Sequence, residues 1–277
     1  MRILKYNIKS KIYKYCNKIN TNYPSLDKRI EFDFYNRGKE PQYAYSIYNS
    51  AKQAKAIGYN GITIIEFGVA AGTGLLAMER LADLIEKELD IRIDIFGFDS
   101  GEGLPNPEDY RDLPYEWKGE FFKMDTQKLK RTLKKAELIL GDVKITVPNF
   151  LETSIRFPIA FVSFDLDFYS STVSALNLFS HKDIKKYIPR VICCFDSTSN
   201  DRRYLCSYVG EPAARTKFNS INKSRKICKL EYLSYRRKLP KLWNEKIFIC
   251  HFFDHDDYNK YTNPSKTRQL TLNNNHE

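Results

Sequence analysis

Apolar runs alternate with amphipathic stretches along most of the chain, and that alternation predicts a layered α/β domain. Ala44, Ile47, Ala51 and Ala54 recur at helical spacing, which predicts a helix over Tyr43–Ile57, stopped by Gly58 and the Asn60-Gly61 pair. Ile62–Phe67 is an apolar strand. Leu75, Met78, Leu81, Ala82 and Ile85 form the buried stripe of a helix over Gly74–Glu88, and Ile91–Phe98 is the next strand. Strand, helix and parallel strand imply a right-handed crossover. Beyond them the pattern predicts a helix at Gln127–Leu138 and a short strand at Val143–Val147. A strand at Ile159–Phe164, a helix at Val173–Phe179 and a strand at Val191–Phe195 follow. Residues 211–228 read as helical and Lys246–Phe253 as a strand. The expected architecture is a predominantly parallel central sheet with helices on both faces and an antiparallel edge strand. It occupies residues 43–260, after a basic lead-in of residues 1–42 and before a polar tail of residues 261–277.

Residues 100–125 (SGEGLPNPEDYRDLPYEWKGEFFKMD) are long for an idle connection, so Gly101–Met124 reads as a lid or substrate loop. Tyr115 and Trp117 would either stack on a ligand or pin that loop to the domain. A content of 42% hydrophobic residues in 277 supports a sizeable core. No run reaches the length of a membrane span, and the start lacks the uninterrupted apolar segment of a secretory signal, so a cytoplasmic location is expected. The six cysteines show no C-x-x-C or paired rhythm, and Cys193 and Cys194 read as reduced core residues.

The formal charge of +11 is uneven: residues 1–30 carry eight Lys/Arg against one acid, and residues 215–246 carry eleven against two. Two accounts stand, solvated basic faces or attraction to an anionic substrate, nucleic acid or the inner face of a membrane. Tyr6, Tyr13 and Tyr15 make no single apolar stripe, and no zinc-finger or RNA-binding signature is present.

The candidate chemistry lies at strand ends. Glu66-Phe67-Gly68 leads into Gly72 and Gly74, a strand-to-helix turn that brings backbone N–H groups and a helix N-terminus to a ligand. Asp99 ends the second strand, where an acid either takes both hydroxyls of a ribose or caps the following loop. Glu66 either holds the turn or meets the charged end of a cofactor. Asp165 and Asp196 end neighbouring strands, and two carboxylates in one cleft call for a shared proton, a basic partner or a divalent cation. Asp167 shares that strand face or braces the turn at Tyr169. His181 is a secondary candidate base, and His251 with His255 has only superficial metal spacing.

Phe98-Asp99-Ser100-Gly101-Glu102-Gly103-Leu104-Pro105 is close to a D-S-F-E-G-L-P segment, and Asp165-Leu166-Asp167-Phe168-Tyr169-Ser170-Ser171-Thr172 to D-x-D-x-Y-x-x-T. Gly210-Glu211-Pro212-Ala213-Ala214 follows a G-E-x-x-A stretch. With the glycine turn, these make residues 60–225 resemble class I S-adenosylmethionine-dependent methyltransferases, and more narrowly the macrocin O-methyltransferase group. The resemblance implies a Rossmann-like methyltransferase fold. It implies S-adenosylmethionine at Glu66, Gly68, Gly72, Gly74, Asp99 and Ser100, with Asp165 and Tyr169 at the reacting end. It also implies magnesium on Asp165, Asp196 and a following aspartate, which is Ser197 here; a hydroxyl there removes one negative charge. Gly101 stands where the group has phenylalanine.

The expected activity is O-methylation of a hydroxylated small molecule, sugar or glycan, and a homo-oligomer is allowed. The alternative is a methyltransferase-fold binder that recruits an anionic polymer or membrane surface. A P-loop transferase lacks its G-K-S/T, and a dehydrogenase lacks a second ribose site.

Overall fold

The computed structural model describes residues 40–153, 155–196, 204–236 and 241–262. The N-terminal lead-in with Tyr6, Tyr13 and Tyr15, the tail from residue 263, and Ser197 lie outside the described residues. No helix among the described residues is long and apolar enough to cross a membrane.

The helices are α1 (Pro41–Ile57), α2 (Thr73–Leu89), α3 (Thr126–Thr132), α4 (Val143–Glu152), α5 (Tyr169–Leu176) and α6 (Gly210–Ile221). The strands are β1 (Gly61–Phe67), β2 (Arg92–Asp99), β3 (Glu137–Leu140), β4 (Ile159–Phe164), β5 (Tyr187–Phe195), β6 (Arg225–Lys229) and β7 (Ile247–Phe252). They form one sheet in the order β3-β2-β1-β4-β5-β7-β6. The first five are parallel, and β7 runs antiparallel to both β5 and β6. Antiparallel pairing is thus confined to one margin, where β6 covers the antiparallel strand. Every residue of β1 and β4 is buried, as expected of strands covered on both faces.

Sheet register brings the candidate residues into line. Phe67 lies opposite Phe98 and Phe164, and Phe164 opposite Phe195. These four rings form a row across the sheet, with Phe67–Phe164 and Phe164–Phe195 stacked at centroid separations of 5.4 and 4.7 Å. Each phenylalanine is followed by a candidate residue, Gly68, Asp99, Asp165 or Asp196. The strand order reverses at β1, between β2 and β4, so the ligand crevice of an open α/β sheet belongs there.

Three predicted elements differ. The helix expected over Gln127–Leu138 ends at Thr132, because buried Glu79 of α2 captures the amides of Lys134, Lys135 and Ala136 through Oε1. That turn frees Glu137–Leu140 to pair with β2 as β3. The strand expected at Val143–Val147 is the start of α4, capped by Asp142, which accepts from Lys144 N at 2.8 Å. Its buried residues, Val143, Val147, Phe150 and Leu151, follow the helical period once the window extends past Val147. The helix expected over 211–228 stops at Ile221. Asn219 then bonds Ile227 through both its side-chain oxygen and nitrogen, starting β6.

Candidate active site

The turn after β1 is shaped by contacts that exclude larger side chains. Gly68 has φ +82, and a Cβ there would lie 1.9 Å from the carbonyl oxygen of Asp165. At Gly74 a Cβ would meet Glu66 Oε1 at 1.8 Å, so the carboxyl of Glu66 is tucked beneath the start of α2. The start of the turn is tied to both neighbouring strands: Gly68 N donates to Phe98 O, and Asp165 N donates to Phe67 O.

Asp99 closes the turn from the side. Its Oδ2 accepts from Val69 N and Ala70 N, each at 2.9 Å, and Oδ1 accepts from Gly101 N at 2.7 Å. It therefore clamps the glycine turn and caps the next loop while lining the cleft; a carboxylate retains lone pairs for further donors. Ser100 Oγ accepts from Glu102 N and donates to Gly103 O, which holds the D-S-x-E-G turn.

Two connected hollows open at the carboxyl ends of the strands. The larger, of about 780 Å³, has Asp99, Leu104, Trp117, Phe122 and the Gly141–Lys144 segment in its walls, a volume suited to a small-molecule ligand. The smaller, of about 200 Å³, lies under α1 and is lined by Tyr43, Glu66, Ser163, Asp165, Asp196 and Lys246. Gly68, Ala70, Asp165 and Asp196 line both, so the two meet at the glycine turn and the acid pair.

The small hollow holds unusual electrostatics. Tyr43 OH donates to Glu66 Oε1 at 2.7 Å and lies 2.8 Å from Ser163 Oγ, whereas Glu66 Oε2 is buried without a hydrogen-bond partner. Burial pushes the Glu66 carboxyl up to about 8 against the pull of the Tyr43 hydrogen bond, so at neutral pH it holds its proton. Asp165 is open to solvent along the cleft and walled by protein elsewhere. Desolvation, then the charges of Asp196, Asp167, Glu211 and Glu66, raise its proton affinity well above that of an ordinary aspartate. Asp196 is ion-paired with Lys246. Of the compensations open to two neighbouring carboxylates, the structure holds the basic partner.

That pairing bears on magnesium. Asp196 is engaged by an ammonium, and among the described residues no three His, Cys, Asp or Glu side chains converge as a metal site would require. The described donor set does not fit the ion that the resemblance implies.

Other candidates fall elsewhere. Tyr169 does not line either hollow: as first residue of α5 it is buried, its ring covered by the Arg111 guanidinium at 4.0 Å, while Ser170 and Ser171 face the large hollow. His181, His251 and His255 lie at the opposite end of the sheet. There Arg190 of β5 pairs with His251 of β7, His255 Nε2 bonds Tyr187 O, and His181 Nδ1 accepts from Asp183 N. Cys193, Cys194 and Cys250 are buried free thiols. Sequence reasoning missed Tyr43, Lys246 and the Gly141-Asp142 pair, the last because its strand was read as the end of a helix.

No family model matches the sequence, and no curated protein matches it. Among solved structures, the chain is similar to that of CalS11, a calicheamicin methyltransferase, at a TM-score of 0.53 and 22% identity, covering 88% of this chain and 92% of that one. An apo structure of CalS11, described as a TDP-rhamnose 3'-O-methyltransferase, aligns at a TM-score of 0.43 and 20% identity over 88% of this chain and 94% of that one. The chain has the fold of class I S-adenosylmethionine-dependent methyltransferases.

Proposed function

We propose that the protein is an S-adenosylmethionine-dependent O-methyltransferase whose acceptor is a hydroxylated small molecule, sugar or glycan. The observation that carries this reading is the meeting of the two hollows at Gly68, Ala70, Asp165 and Asp196. One cleft thereby offers a cofactor turn and a proton-accepting carboxylate side by side.

The residues suit such a cofactor. Backbone at Gly68 and Gly74 lines the hollow that would take it, Gly72 is held tight against Leu129 and shapes the turn from behind, and Asp99 has lone pairs for ribose hydroxyls. Glu66, with Oε2 unpartnered, offers a buried acceptor to the cofactor's ammonium group, and its carboxyl gives up its proton to solvent as that positive charge arrives. When bound, S-adenosylmethionine supplies the activated methyl group. The chain's own contribution is alignment and proton removal. Asp165, open to the cleft and with its proton affinity raised by the protein packed around it and by neighbouring acids, takes the proton from the acceptor hydroxyl onto a carboxylate oxygen. Leu104, Trp117 and Phe122 form an apolar wall for the acceptor and exclude water. Tyr169 acts indirectly, through its packing against Arg111.

Titration calorimetry with S-adenosylhomocysteine tests the reading. We expect a single-site isotherm, weakened by more than about tenfold in Asp99→Ala, which is about 1.4 kcal/mol. Absence of binding by both S-adenosylmethionine and its product would refute the methyltransferase reading, and selective binding of NAD would replace it.

A further inference from the structure

We propose that the Lys246 ammonium is the resident cation at the acid-lined end of the cleft, so that Asp165 and Asp196 work without a divalent ion. The inference rests on the methyltransferase reading for the purpose of the site, but its evidence is the placement of Lys246.

Sheet topology dictates that placement. Cys194 of β5 lies opposite Ile247 of antiparallel β7, so the next step of that register sets Lys246, just before β7, opposite Phe195 at the end of β5, one residue from Asp196. Lys246 and Asp196 therefore meet because of strand register. The Lys246 side chain is only 16% exposed, and its Nζ reaches Asp196 Oδ1. Among the described residues that line the small hollow, Lys246 is the one basic side chain beside Glu40, Glu66, Asp165 and Asp196. A solvated surface pair would contribute little, but an ammonium held in this acid cluster sets its charge.

The charge balance explains why the substitution is tolerable. Three carboxylates with a divalent cation carry one net negative charge. Two carboxylates with an ammonium carry one as well. Ser197, standing where the similar group has an aspartate, removes one carboxylate from the cluster, and Lys246 supplies a single positive charge to match. An ammonium has three donors and no coordination geometry to satisfy, whereas magnesium demands near-octahedral oxygen ligation. Lys246 is thus a positioning residue: it holds Asp196 and leaves Asp165 to accept the proton.

Manganese binding, read by electron paramagnetic resonance on the full-length protein with and without S-adenosylhomocysteine, tests the proposal. The wild type should leave manganese free at millimolar concentration. Lys246→Ala, by uncovering Asp196, should bind it at least about tenfold more tightly; adding Asp196→Asn should abolish the gain. Lys246→Arg should behave as the wild type. Manganese binding by the wild type that Asp196→Asn removes would overturn the proposal, and so would no gain in a cooperatively melting Lys246→Ala protein. The wild-type and Lys246→Arg arms decide the matter if the alanine variant does not fold. Failure of S-adenosylhomocysteine binding by the wild type would instead strike the methyltransferase reading, and that titration is read separately from manganese.

Discussion

A carboxyl lodged beneath Gly74 with one oxygen unpartnered keeps its proton at neutral pH, and this sets how Glu66 couples folding to pH. Its folded-state pKa is raised from 4.5 to about 8, chiefly by burial. Between those values the folded protein holds a proton that the unfolded chain has released. Its contribution to stability is therefore complete below pH 4.5 and is lost as pH rises through about 8. By pH 7 the loss is roughly 3 kcal/mol. Glu66→Gln keeps an oxygen for Tyr43 and removes the titration. Denaturant unfolding of that variant should show a slope smaller by about 1.4 kcal/mol per pH unit between about pH 5 and about pH 8; an unchanged slope would mean Glu66 is ionised in the folded state. Asp165 leaves a residual slope of the same sign. At this scale the strand-end acids were legible because each follows an apolar run. Lys246 was not, since nothing local says that the strand after it lies antiparallel beside β5.

Among the elements, the long loop after β2 is where sequence and structure together say most about motion. Its base is held shut: Leu104 N donates to Phe121 O and Glu120 N to Leu104 O, both at 2.8 Å. Buried Asp112 accepts from Glu108 N and from both N and Oγ of Ser170, tying the loop to the start of α5. Between these anchors Tyr115 is exposed and Trp117 lines the large hollow, and just beyond them exposed Phe122 lines it too. We expect the closing motion to be confined to residues 114–119, between the Asp112 and Glu120 anchors, which act as hinges. Hydrogen exchange should show Leu104, Glu120 and Ser170 amides protected in the free protein, with the intervening amides gaining protection only with cofactor and acceptor together. Solvent-like exchange of those amides in a productive complex would defeat the lid. The Gly and Pro content made the loop visible in sequence, but its anchors depend on Asp112 meeting Ser170 across a long separation. The same limit explains the error at β3, whereas at α4 the signal was local and needed a longer window. A short apolar run reads as either element, and the arbiters were Glu79 on a distant helix and a cap at Asp142.

For the whole molecule, cofactor binding and attraction to anions are separable properties. The sheet concentrates the candidate chemistry along the carboxyl ends of β1, β2, β4 and β5, whereas the +11 charge includes dense basic stretches in residues 1–30 and 215–246. A ligand that binds the folded cleft and not the unfolded chain stabilises by about 2.7 kcal/mol at a hundredfold excess over its Kd. For a domain of this size that is roughly 5–10 °C in Tm. Contacts within a walled cleft are screened weakly, but surface attraction fades as the Debye length falls from about 8 Å at physiological salt to about 3 Å at 1 M. Differential scanning fluorimetry with S-adenosylhomocysteine should therefore show a Tm rise of that size in the wild type, largely kept at high salt. The rise should be reduced in Asp99→Ala at the same ligand concentration. Retention on an acidic polymer should collapse over the same salt range. A salt-resistant shift identifies the cleft as the ligand site and leaves the basic surface a secondary role. A protein that melts unchanged with S-adenosylhomocysteine yet binds the polymer tightly would instead be a recruiter built on a methyltransferase fold.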